Sequence, residues 1–181
     1  MGTIVLLRHG PKGSDGELTL EGKIFCREVG KKLMNEHGQF SWAVSSPEKR
    51  AVETARILTM GYCPIQKAKE VGIPEKEMAT VLELFGKRGN APLVNYFAEG
   101  DEVKQKFDDY GNEGWGIIAK ASIGRDPVLV VGHEVLLPAI AAAATNRGNI
   151  AMTKTFKPCE GLILSVDENN RVTAVQMFKP Y

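Results

Sequence analysis

Two hydrophobic rhythms alternate along the chain. Residues 3–7 form an unbroken run of β-branched and aliphatic side chains, the pattern of a strand covered on both faces. After the loop-forming Gly10-Pro11-Lys12-Gly13-Ser14-Asp15-Gly16 the rhythm changes. Thr19 offers an N-cap, Ile24, Phe25, Val29 and Leu33 recur at helical spacing, and Lys31, Lys32 and His37-Gly38 suit a helix end. Residues 40–45 predict a second strand. Ser46-Pro47-Glu48 predicts the next helix start, with a capping hydroxyl, Pro at the first helical position and an acid in the first turn. Its buried stripe runs through Ala51, Ala55 and Leu58. A third strand is predicted near residues 67–71. Residues 86–116, rich in glycine and charge, read as an insertion of loops and short helices. Residues 128–131 are again an apolar strand, and residues 135–144 an Ala-rich helix with Pro138 early in it, where it is tolerated. Residues 161–166 and 171–178 predict a hairpin through Asp167-Glu168-Asn169-Asn170.

Strands alternating with helices and a closing hairpin imply an α/β fold. The expected architecture is a three-layer α/β/α sandwich whose central sheet is mostly parallel. Its single domain spans residues 1–181, with the insertion of residues 86–116 placed over the active site. The length of 181 residues suffices for a core without covalent staples. Lys and Arg number 23 against 22 Asp and Glu, which argues against nucleic acid as a partner. Cys26, Cys63 and Cys159 are scattered and unpaired in sequence, against a disulfide framework or a thiolate metal site. The first apolar run is too short for a signal segment, and no stretch approaches the roughly 18 apolar residues of a membrane span. A soluble, cytoplasmic protein with no membrane partner is expected.

Ligands of open α/β sheets collect beyond the carboxyl ends of the strands. Three such ends carry unusual residues: Arg8-His9-Gly10, then Ser45-Ser46 with Arg50 shortly after, and Gly132-His133-Glu134. Two of the three histidines stand there. Two guanidiniums and two imidazoles at one point suit a phosphoryl group, since Arg binds its oxygens as a planar fork. One neutral imidazole can attack phosphorus and the other can stabilise transition-state charge. A metal-dependent hydrolase on His9, His133 and Glu134 would need more ligands than these.

The same residues resemble a family. Arg8-His9-Gly10 is similar to the RHG signature of the histidine phosphatase superfamily, which includes the cofactor-dependent phosphoglycerate mutases. Leu18-Thr19-Leu20-Glu21-Gly22, the run from Ser45-Ser46-Pro47 through Arg50-Ala51 to Thr54-Ala55, and Val131-Gly132-His133-Glu134 resemble its further elements, in the family's order. Glu160-Gly161 resembles the segment before its last core strands. The resemblance implies a phosphoglycerate mutase-like fold and His9 as the phosphorylated nucleophile. It implies that Arg8, Arg50 and His133 bind the transferring group, with no metal and no organic cofactor. Thr19 either joins the substrate contacts or only caps its helix. Leu82-Glu83-Leu84-Phe85-Gly86 is similar to the segment that holds the general acid in one branch, which makes Glu83 the candidate. Glu134 directly after the second histidine is the rival. Lys12, Asn95, Tyr96, Phe97 and Trp115 are candidates for the substrate side or for plain packing and solvation. Pro11-Lys12-Gly13 departs from the family's usual loop.

These implications point to a phosphatase acting on a phosphorylated small molecule or a phosphohistidine protein. The alternatives are a phosphoglycerate mutase-type phosphotransferase and a non-catalytic relative that binds phospholigands. The short chain leaves little room for the mutases' insertions and favours the phosphatase.

Overall fold

The computed structural model describes residues 1–74, 79–145 and 150–181. In chain order the elements are β1 (Gly2–Arg8), α1 (Leu20–His37), β2 (Trp42–Ser45), α2 (Lys49–Leu58), β3 (Ile65–Lys67), α3 (Ala79–Arg88), α4 (Leu93–Phe97), α5 (Asp101–Ser122), β4 (Val128–Gly132), α6 (Leu136–Ala144), β5 (Gly161–Val166) and β6 (Val172–Phe178). The strands form one sheet in the order β3-β2-β4-β1-β5-β6. Strands β3, β2, β4 and β1 run parallel, and the closing hairpin adds β5 antiparallel to β1 and β6 antiparallel to β5. The sheet is therefore mixed, four parallel strands followed by an antiparallel hairpin.

Alternate residues of the central strands enter two cores. Ile4, Leu6, Val44, Val128 and Val130 face the helices α3 to α6. Val5, Leu7, Ala43, Leu129 and Val131 face α1 and α2. Helices thus cover both faces, as the unbroken apolar runs require. The parallel registers pair Arg8 with Gly132 and Ser45 with Val131. The three strands end level, and the residues that follow them meet at one edge.

Several local expectations change. Ile24 is 58% exposed, and α1 docks instead through Gly22, Cys26, Val29, Gly30 and Leu33. The reason is close helix approach: a Cβ on Gly30 would lie 2.5 Å from the Leu58 carbonyl oxygen. The third strand ends at Lys67, because the Ala68 N–H bonds the Ser45 carbonyl and the chain then turns through a 3-10 segment, Lys69–Val71. Helix α2 starts at Lys49, not at Pro47, and no side chain caps it; the Ser46 hydroxyl is engaged elsewhere. Residues 86–116 are mostly helical. Val103, Phe107, Tyr110 and Ile118 of α5 are buried at helical spacing, interrupted in the sequence by Gly111 and Gly114, which lie against α6. Those glycines hid the apolar period. Among the described residues no helix is long and apolar enough to cross a membrane.

Candidate active site

His9 follows β1 directly, and its backbone N–H bonds the Gly132 carbonyl at 3.0 Å. That bond ties the first histidine to the strand that delivers the second. His9 is 1% exposed and His133 3%. Their ring centroids lie 5.2 Å apart in an edge-on arrangement.

The protonation pattern of His9 follows from its partners. Nδ1 lies 2.8 Å from the Gly10 carbonyl oxygen, which can only accept, so Nδ1 carries the proton. The other nitrogen, Nε2, accepts from Arg50 Nε at 3.2 Å. Burial pushes the His9 imidazolium down, and although the Gly10 bond opposes this, His133, Arg50 and Arg8 add to it. The result is a pKa of about 3. His9 is a neutral imidazole at pH 7 with its Nε2 lone pair turned into the site.

Gly10 is required behind it. A Cβ there would lie 2.3 Å from Cys26 Sγ. The Gly10 N–H donates to Thr54 Oγ1, whose hydroxyl donates to the Arg50 carbonyl. The loop after β1 and the first turn of α2 are thereby joined by one hydroxyl. Thr54 has no role in the sequence reading, although it stands four residues after Arg50, on the same helix face.

The four expected phosphoryl-binding residues come together. Arg50 extends from the first turn of α2, and its second donor reaches His133 Nδ1 at 3.4 Å. Arg8 donates to the Phe156 carbonyl at 2.8 Å and pairs with Glu134, while its Nε–H is buried without a protein partner. Glu48 is a further member. Its carboxylate accepts from His133 Nε2 at 3.0 Å and from the Ser46 hydroxyl. Burial pushes the Glu48 carboxyl up. The bonds from His133, its own backbone N–H and the Ile73 N–H outweigh this and hold it below the ordinary range.

A cavity of about 320 Å³ opens above this floor, lined by Lys12, Arg50, Ile73, Phe85, Gly89, Asn90, His133, Glu134 and Leu136. Glu134 belongs to it. Glu83 does not: its side chain is exposed on α3, while Val81 and Leu84 take the buried face and Phe85 the cavity. Thr19 is not brought to the cavity either, since its hydroxyl accepts from the Gly22 N–H as the cap of α1. Lys12 lies at the rim. Tyr96 is wholly buried, Phe97 packs on the same core and Asn95 is exposed. Trp115 lines a separate cavity of about 860 Å³ with Asn169, Arg171 and Thr173, away from the histidines. Cys159 is fully buried, 3.6 Å from Cys26 Sγ. Among the described residues no three His, Cys, Asp or Glu side chains are grouped to hold a metal ion.

The fold is a three-layer α/β sandwich with two histidines and two arginines gathered beyond its parallel strands. Residues 4–175 match the histidine phosphatase superfamily (branch 1), and the chain belongs to that family. Solved structures share the fold at low identity. Phosphoserine phosphatase from Entamoeba histolytica, in complex with 3-phosphoglyceric acid, is similar at 16% identity over 99% of both chains, with a TM-score of 0.72. A putative α-ribazole-5'-P phosphatase from Escherichia coli is similar at 16% identity, over 99% of this chain and 98% of that one, with a TM-score of 0.69. The protein histidine phosphatase SixA, complexed with tungstate, is similar at 17% identity, over 98% and 97%, with a TM-score of 0.61. No curated protein matches the chain.

Proposed function

We propose that this protein is a metal-independent phosphatase that hydrolyses phosphomonoesters through a phosphohistidine on His9. One observation carries the reading: His9 Nε2 is held unprotonated, 3.2 Å from Arg50 Nε, with Nδ1–H locked on Gly10. A neutral nitrogen nucleophile beside a fixed cation is what attack on a phosphate monoester needs. Its lone pair forms the N–P bond as the P–O bond to the leaving group breaks. Arg8, Arg50 and His133 take the three equatorial oxygens. Phosphoryl oxygens compete with the Glu134 carboxylate, which lines the cavity, for Arg8. The freed carboxylate takes the proton of the substrate's phosphate monoanion and passes it to the leaving oxygen. Water then attacks phosphorus, the P–N bond breaks, and the water's proton passes through the Glu134 carboxylate to the phosphate that leaves.

The cavity supports a small phosphorylated molecule over a protein phosphohistidine. It is of small-ligand size and is walled by Ile73, Phe85 and Leu136, with Lys12 and Asn90 as polar contacts. The similar structures bearing phosphatase names agree with hydrolysis over mutase-type transfer. A cytoplasmic location belongs to the reading and is supported by three free, buried thiols.

The test is turnover of an aryl phosphate by the wild-type protein, with and without chelator, followed by acid- and alkali-resolved trapping of labelled phosphate. Turnover that survives chelation, with an acid-labile, alkali-stable label lost in His9→Ala, is expected. Turnover abolished by chelator, or a label retained in His9→Ala, rules the reading out. Vanadate, a mimic of the transferring group, is expected to inhibit at low concentration.

A further inference from the structure

His133 is gripped on the side away from His9. Its Nε2 lies 2.7 Å from Ser46 Oγ and 3.0 Å from Glu48 Oε2. The Ser46 hydroxyl donates to that same carboxylate oxygen, so Ser46 Oγ and Glu48 can both accept from one Nε2–H. The opposite ring nitrogen, Nδ1, faces a guanidinium N–H of Arg50 at 3.4 Å. A proton on Nδ1 instead would set two donors face to face and leave Nε2 without one toward a carboxylate. The hydrogen-bond inventory of the ring therefore selects Nε2–H for the neutral form.

Glu48 is itself fixed. It begins the turn into α2, and its other oxygen accepts from the Ile73 N–H at 3.4 Å. The His133–Glu48 ion pair leaves the imidazole 4% and the carboxylate 25% exposed. The charged and titratable groups facing His133 are Glu48 and Arg50 from the α2 side, His9 from the end of β1, and Glu134 and Lys12 across the cavity. The Glu48 charge is felt in turn by Tyr110 of α5, whose hydroxyl is committed to the Gly72 carbonyl. Of these groups, only Glu48 is an acid in direct contact with the ring.

We propose that Glu48 is a positioning residue for phosphoryl transfer: it holds Nε2–H of His133 and stabilises the imidazolium whose Nδ1–H binds the incoming phosphoryl oxygen. The proposal rests on the phosphatase reading for its catalytic consequence, but its structural half does not. When a phosphoryl group displaces the long Arg50 contact, Nδ1 takes up a proton and becomes a charged donor, while Glu48 balances the charge from behind. This gives the site a third cation that appears only when a proton is bound, beside two permanent ones. A carboxylate orienting an imidazole from its far nitrogen is a recurrent device for tautomer control.

The experiment is nitrogen-resolved NMR of His133 in the wild type and in Glu48→Gln, with kcat/KM on an aryl phosphate measured in parallel. The wild type is expected to show the Nε2–H tautomer when neutral. In Glu48→Gln the ring is expected to lose that preference and populate Nδ1–H, and kcat/KM is expected to fall about tenfold. Glu48→Asp, which keeps the charge, restores Nε2–H and recovers most of kcat/KM. An Nδ1–H tautomer in the wild type overturns the proposal on the unaltered protein, whatever the variants do. An unchanged tautomer in Glu48→Gln overturns it too, and a changed tautomer with unchanged kcat/KM overturns the role of His133 as donor. If the wild type turns over no aryl phosphate while the tautomers behave as expected, the phosphatase reading fails and the positioning of His133 by Glu48 stands.

Discussion

The floor of the site and its rim are built by different means. On the floor, His9, His133, Arg8, Arg50 and Glu48 come from the ends of parallel strands or the first turn of a helix, and nearly every polar atom has a named partner. On the rim, Lys12 lies in a loop and Asn90 follows α3, while Glu83, outside the cavity, is exposed to solvent. The floor is a network in a low-dielectric setting, where removing one member leaves others unsatisfied. The rim is a set of exposed side chains that act singly. Under the proposed function, chemistry common to all phosphomonoesters is expected of the first, and discrimination among them of the second.

The sharpest break in that comparison is His9→Ala. It removes the proposed nucleophile and is expected to lower kcat on an aryl phosphate by about a thousandfold or more. Circular dichroism should meanwhile show the fold retained. Glu134 sits where floor meets rim. Glu134→Gln is expected to cost about a hundredfold on alkyl phosphates and far less on aryl phosphates, whose leaving groups need no proton. Equal losses on both would place the acid elsewhere.

A third test reads the floor through stability. The folded His9 has a pKa of about 3 and the unfolded one an ordinary value near 6.5. Between these values the unfolded chain binds the extra proton, so folding stability falls as pH drops below about 6.5. Above 6.5 the contribution is fully present. From pH 7 to pH 4.5 the wild type should lose about 2–3 kcal/mol more than His9→Gln, measured by urea midpoints at the two pH values. Parallel curves for the two proteins would show that His9 carries no such shift. The smallest effect is expected beyond the rim: Glu83→Gln should change kcat/KM less than about threefold on either substrate class, as befits an exposed group outside the cavity. A loss comparable to that of Glu134→Gln would bring Glu83 into the chemistry and erase the distinction.

Local order was legible where one residue decides it. Thr19 and Gly38 do bound α1, and Asp167-Glu168-Asn169-Asn170 does turn the final hairpin. The gathering of the floor residues was legible because strands ending in Arg8-His9 and Gly132-His133 bring these side chains together when they are parallel neighbours, and the register makes them so. The helical character of residues 101–122 was not, since Gly111 and Gly114 replace apolar side chains at the contact with α6 and erase the period a sequence reading depends on. Nor was the exposure of Ile24, which follows from how closely α1 approaches α2.

By itself the sequence determined which groups could do chemistry here: two imidazoles and two guanidiniums placed at strand ends, within an α/β pattern that brings such ends to one edge. It also determined the family, since those groups recur in the family's order. Only the tertiary structure decided their states. The proton on His9 sits at Nδ1 because the Gly10 carbonyl lies 2.8 Å away, and Glu48 rather than solvent meets the far side of His133. It also decided which acid faces the cavity, Glu134 and not Glu83. Gly10 is the next residue, but the burial of the site and the direction of its groups depend on distances of a few ångströms between residues that stand 41 and 126 positions apart, as for His9 with Arg50 and Arg8 with Glu134, and no spacing along the chain contains them.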